Sequence, residues 1–233
     1  MKRHVHLTAA LVAALALSAC HTPAGPKPSA APTGVPAGAA LSGTHYTIDA
    51  QHSQVLVLAY RDGAMARLGH NHVIAIRQLS GSVVIGSDPT HSSFQMDFPV
   101  DAMSVDEAAL RAAEGADFQS TVDEAAIAGT RDHMLGEALL NSKQFPQIHL
   151  ASEQIQDNAG SLKAVTAIMV RSTTAHAQIP VTLETSGDDL AASGEFDLTH
   201  AQLGLTPYSV ALGALRVAER IHIKYRLTAH RQS

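Results

Sequence analysis

The chain has 233 residues, 45% hydrophobic and 16% charged, with a net charge of -5, enough for one domain with a substantial core plus appendages. The mildly acidic balance and the lack of a basic stripe exclude nucleic acid as a partner. Aromatics make up 4% and Trp is absent, which excludes a stacking platform for bases or sugars. The 14 histidines would let the chain change charge near pH 6, although any single one is ordinarily solvated surface.

Residues 1–4, MKRH, form a basic start, and residues 7–17 are an apolar segment rich in Ala and Leu. That segment is too short to span a bilayer and reads as a signal peptide over residues 1–19. It ends LSAC at Cys20, the sole cysteine. This ending resembles a bacterial lipobox, which implies cleavage before Cys20 and acylation, palmitate included, of its thiol and new amine. Three acyl chains at ~0.8 kcal/mol per buried methylene make a firm anchor. An ordinary signal peptide cleaved after Ala19 is the alternative. The lipobox implies the periplasmic side of a bacterial envelope membrane. His21 rather than Asp follows, which in Gram-negative sorting implies the outer membrane. Residues 20–44, beginning CHTPAGPKPSAAPTG, are rich in Pro, Ala and Gly and read as an extended tether.

Residues 45–230 are the globular part, where the dominant signal is period-two alternation. Residues 54–60, QVLVLAY, are β-branched and apolar on both faces. Phe94, Met96, Phe98 and Val100 share one face, with Gln95 and Asp97 opposite. Residues 162–170 are more continuously apolar, residues 179–183 and 194–198 alternate, and residues 221–227 place His222, Lys224 and Arg226 outward. Pro99 and Pro180 mark edges, bulges or strand ends. Turn sequences GSDP, DNAG and SGDD separate these runs, and short strands with frequent turns argue an antiparallel sandwich or barrel. Residues 105–140 break the pattern. Residues 106–113 predict a short helix, and STVDE at 120–124 predicts a capping box opening a second, with Ile127, Arg131, Met134 and Ala138 at helical spacing.

In this order the segments carry a resemblance. YTIDAQHSQV at 46–55, GSVV at 81–84, His133 with Met134, Leu139 with Leu140, FPQI at 145–148, IPVTL at 179–183 and residues 196–205 resemble the YceI-like proteins, over residues 46–229. The resemblance implies an all-β fold with minor α, an antiparallel lipocalin-like barrel of about eight strands with one or two inserted helices. It also implies a long isoprenoid or other amphiphile in an apolar lumen. The family's His-Gly-x-Thr before the Pro-Val-Thr-Leu strand is here Arg171-Ser-Thr-Thr174.

Alternation selects the residues that would line such a lumen: Val55, Val57 and Ala59; Phe94, Met96 and Phe98; Ile168 and Val170; Val181 and Leu183; Phe196; and Ile221 and Ile223. The same side chains could equally fill the barrel, and the resemblance favours a tunnel. The rival is the GHNH loop, where His70 and His72 at i and i+2 share a face on extended backbone and suit Zn²⁺ or Cu²⁺. His133, His200 or Asp132 would supply the third ligand of a metal-binding or pH-responsive site. A third reading has these histidines hydrogen-bonding the head of a quinone or isoprenyl phosphate at the tunnel mouth. A fourth makes the second apolar face of residues 54–60 a homodimer or partner surface. An enzyme is the least supported: Asp49, His52 and Ser53 are too close along one strand for a relayed triad, and no Gly-rich phosphate loop precedes a helix.

Overall fold

The computed structural model describes residues 42–232, so the leader, Cys20 and most of the tether lie outside the described residues. The strands are β1 (Thr44–Ile48), β2 (Gln54–Asp62), β3 (His72–Ile76), β4 (Ser80–Ile85), β5 (Ser93–Pro99) and β6 (Ser104–Val105), then β7 (Gln147–Asn158), β8 (Ser161–Val170), β9 (Thr173–Ser186), β10 (Asp189–Thr199), β11 (Ser209–Val210) and β12 (Leu215–Arg231). Between β6 and β7 lie α1 (Ala108–Ala113) and α2 (Glu124–Leu135).

Neighbours run β1-β4-β5-β7-β8-β9-β10-β12, and β1 pairs back onto β12, which closes a ring of eight antiparallel strands. β2 continues the line of β1 along β12: Tyr46 faces Arg231 and Asp62 faces Arg216. β3 likewise continues β4, and β6 continues β5. Three of the eight strands are therefore long ones broken once, at residues 49–53, 77–79 and 100–103. At the first break Asp49 accepts from the Gln51 N–H at 2.8 Å, while the Ser53 hydroxyl bonds both the N–H and the carbonyl of Thr228 on β12. The chain turns there without losing its partner strand.

Closure makes the two ends unlike. The turns after β4, β7 and β9 are short and gather at one end; the long connections, including α1, α2 and residues 200–214, gather at the other. The ladder between β9 and β10 stops at the pair Thr182–Ser193, two residues from Pro180, which has no N–H to give. Beyond that point Tyr225 on β12 reaches over Gly194, its register partner, and donates to the Pro180 carbonyl at 2.6 Å. A Cβ on Gly194 would stand 2.3 Å from that carbonyl oxygen. Burial pushes the Tyr225 hydroxyl up, so it keeps the proton it donates.

The expected strands are present, with adjustments. β12 begins at Leu215 rather than near 221, because the register shift between Val217 and Ile221 interrupts the alternation. α1 begins at Ala108, since Asp106 holds a left-handed φ of 54°. α2 is capped by Asp123, whose side chain accepts from the Ala126 N–H at 2.8 Å, not by a box at Ser120. It ends at Leu135, short of Ala138. The apolar outer face of β2, read above as a homodimer or partner surface, is partly covered by the chain itself. Leu58 packs with Val73 and Phe118, joined by Leu56, Tyr60 and Leu110.

At the short-turn end His230 bridges two carboxylates, Asp49 at 2.9 Å and Asp189 at 2.7 Å. Hydrogen bonds that the His230 ring donates to Asp49, and then to Asp189, raise its pKa above the ordinary value. The stabilisation is therefore complete below about pH 6.5 and fades as pH rises through the raised value. His230→Gln should lower the melting temperature more at pH 5.5 than at pH 8.5. Equal losses at the two pH values would show that the bridge does not contribute.

Candidate functional site: a hollow apolar lumen

Alternation turns one face of every strand inward, and the inward side chains do not meet. A cavity of about 580 Å³ remains inside the ring, within the ~300–1,000 Å³ of ligand sites. The packed-barrel alternative is thus overturned. The reason lies in composition: Ala59, Ala164 and Ala192 occupy inward positions that larger residues would close. Lining runs along β12 from Val217 to Ala229, ~40 Å of strand, or ~30 Å along the axis at a tilt of ~35–45°. The space is long and slender.

Every residue expected to line a lumen does so: Val55, Val57 and Ala59 on β2; Phe94, Met96 and Phe98 on β5; Ile168 and Val170 on β8; Val181 and Leu183 on β9; Phe196 on β10; and Ile221 and Ile223 on β12. That these residues touch a ligand is a separate matter. Helix α2, which the sequence left without a role, supplies further wall through Ala126, Thr130 and Met134.

The four histidines separate. His72, His133 and His200 line the cavity at its loop-rich end, and His70 does not. His133 stacks edge-on against Tyr208 with centroids 4.5 Å apart. His200 is buried, its Nδ1 3.1 Å from the Glu219 carbonyl. The His70 and His72 ring centroids are 6.4 Å apart, and His70 Nδ1 is sealed without a partner. Asp132 is exposed on α2. Among the described residues no group of three His, Cys, Asp or Glu side chains is placed to hold a metal ion.

Behind His72 stands a polar cluster that sequence reasoning missed. His72 Nδ1 is 2.6 Å from Asp106 Oδ2, and Asp106 Oδ1 accepts from the Val73 N–H and from Arg111 at 2.7 Å. Arg111 also donates to the carbonyls of Asn71 and Ser120. Asn71, the middle of GHNH, accepts from the Arg61 N–H and donates to the Asp117 carbonyl. Burial opposes ionisation of Asp106. The hydrogen bonds it accepts from His72, the Val73 N–H and Arg111 nevertheless hold its pKa below the usual range. In the sequence Asp106 and Arg111 were only two charged residues of a predicted short helix, and nothing there told that they fold inward. Ser53 is buried and bonded to Thr228, so it stands apart from the exposed Asp49–His52 pair.

A family model described as the YceI-like domain matches residues 46–229. Among solved structures, BcnA of Burkholderia cenocepacia is similar with a TM-score of 0.57 at 16% identity, over 78% of this chain and 98% of that one. A polyisoprenoid-binding domain from Saccharophagus degradans, implicated in plant cell wall breakdown, has a TM-score of 0.53 at 8% identity, over 80% and 98%. A mutant Campylobacter jejuni YceI protein has a TM-score of 0.51 at 6% identity, over 69% and 85%. At these identities the likeness is one of fold. None of the curated proteins matches this sequence.

Proposed function

Since this chain belongs to the YceI-like family, we propose that it is a binding protein, held to a bacterial envelope membrane by a lipidated Cys20, that carries an isoprenoid or similar amphiphile in its lumen. The observation that carries this reading is the cavity itself, about 580 Å³, elongated and almost wholly apolar. Each ~100 Å² of chain taken from water into such a wall contributes about 2.5 kcal/mol. A slender lipid therefore has enough surface to offset the cost of association. The similar Saccharophagus domain is described as binding polyisoprenoid, which supports the same class here.

The mouth fits an insoluble ligand. The exposed large hydrophobics Met65, Leu68, Tyr208, Val210 and Leu212 lie on two loops at the loop-rich end, joined by a bond from the Met65 N–H to the Ala214 carbonyl at 2.7 Å. Periplasmic location follows from the leader and the lipobox-like ending at Cys20, with the residues up to 44 as tether. A binder rather than an enzyme is favoured because, among the described residues that line the lumen, no hydroxyl is hydrogen-bonded to a histidine and there is no carboxylate.

The test is extraction. Protein purified in mild detergent from its own host, washed and treated with chloroform–methanol, should release a lipid with an isoprenoid or alkyl chain in near-stoichiometric yield. Cys20→Ser should move the protein from the membrane to the soluble fraction with that lipid still bound. Protein that releases no lipid, and takes up none when offered a polyprenol, would overturn the binding role. An unchanged membrane fraction would overturn the anchor.

A further inference from the structure

We infer that the lumen selects an amphiphile whose polar end is an uncharged hydrogen-bond donor, such as a long-chain alcohol, received by His72 Nε2 and His200 Nε2 at the loop-rich end. The inference rests on the binding role proposed above and specifies its ligand.

Charge comes first. Among the described residues that line the cavity there is no Lys, Arg, Asp or Glu. A phosphate or carboxylate drawn into the lumen would lose its water and find no cation, a heavy cost. Arg111, the nearest buried cation, spends its donors on Asp106, Asn71 and Ser120 behind the wall.

The direction of the hydrogen bonds comes second. A backbone carbonyl can only accept, so His200 Nδ1, 3.1 Å from the Glu219 carbonyl, carries the ring proton. Asp106 is an ionised carboxylate, because it accepts from Arg111 and from the Val73 N–H. His72 Nδ1, 2.6 Å from its other oxygen, therefore donates as well. In each neutral ring Nε2 is left with a lone pair and no proton. Among the described residues neither Nε2 has a hydrogen-bond partner and neither is sealed off; His70 Nδ1 is the one sealed, unpartnered buried side-chain atom among them. His200 is only 7% exposed and lines the cavity.

Two fixed acceptors at the end of an apolar channel ask for a donor. A hydroxyl meets them. An ether or a quinone carbonyl, which only accepts, does not. Of the remaining polar lining, Tyr225 donates to Pro180, Thr130 donates to the Ala126 carbonyl, and Ser92 accepts from the Gly86 N–H with Ser93 beside it at the far end. His133 and Tyr208, both exposed, stack edge-on with each other.

The experiment compares geranylgeraniol, its methyl ether and its monophosphate, identical in chain and different at the head, by equilibrium competition on the folded protein. The alcohol should bind about fivefold more tightly than the ether, the worth of one ordinary hydrogen bond, and at least about tenfold more tightly than the phosphate. His72→Phe or His200→Phe should reduce the alcohol's advantage over the ether, with a thermal melt of each variant reporting that the barrel is intact. If neither variant folds, the wild-type series decides alone. A phosphate that binds as well as the alcohol, an ether equal to it, or an advantage that survives both substitutions would overturn the inference and leave the binding role standing. Failure of all three probes to bind would overturn that role and the inference with it.

Discussion

Ala192→Trp should abolish binding of a long-chain isoprenoid, with affinity falling at least ~100-fold, while the barrel remains folded. Ala192 faces the lumen on β10, the fourth of its 11 residues and nearer the short-turn end, between its register partners Leu183 and Leu227, which line the same space. An indole at that point would grow into empty volume rather than into packed atoms. The overpacking cost is then at the low end of ~1–3 kcal/mol. The ligand must then pass the indole or leave part of its chain outside, and each ~100 Å² of chain kept out forfeits about 2.5 kcal/mol. Isothermal titration with geranylgeraniol, alongside a thermal melt, checks both halves. Undiminished binding would mean that the chain lies elsewhere.

The second large effect concerns stability. Arg111→Met should destabilise the protein by about 3–5 kcal/mol, because it leaves the Asp106 carboxylate buried without its cation. The two side chains are 7% and 0% exposed and 2.7 Å apart. The same change strips the Asn71 and Ser120 carbonyls of a donor. Asp106→Asn added to Arg111→Met should recover part of the loss, since the buried charge goes with it. Denaturant unfolding of the two single variants and the double variant measures the coupling. A loss under ~1 kcal/mol for Arg111→Met would mean that water reaches the cluster. His72 would also lose its fixed orientation in these variants, so the cluster ties the stability of the loop-rich end to the geometry of the lumen.

Much of the wall was legible because a strand with one face buried records that face at every second residue. Phe94, Met96 and Phe98, and Ile221 and Ile223, announced both the strand and its inward side. The bulge at residues 218–220 hid the start of β12, since Glu219 and Arg220 fall where the pattern needs apolar residues. Residues 54–60, apolar on both faces, told that something covers the outside of β2. They could not tell that Phe118 and Leu110 from the same chain do so, because that contact depends on a loop path. GHNH was read as two histidines on one face. Tertiary packing sorted them, His72 to the lumen and Asp106, and His70 away from it. Asp106 and Arg111 escaped notice because a charged pair five residues apart around a short helix ordinarily faces water. Whether the inward side chains would meet across the barrel was beyond pattern reading altogether, since it depends on ring size and tilt as much as on residue type.

The most direct measurement is a crystal structure of the protein grown with geranylgeraniol. The structure predicts one continuous rod of density along the axis, walled by Phe94, Ile168, Val181 and Ile221, with its hydroxyl end between His72 and His200. Side chains closed across that axis, with the alcohol absent or bound on the outside, would contradict it.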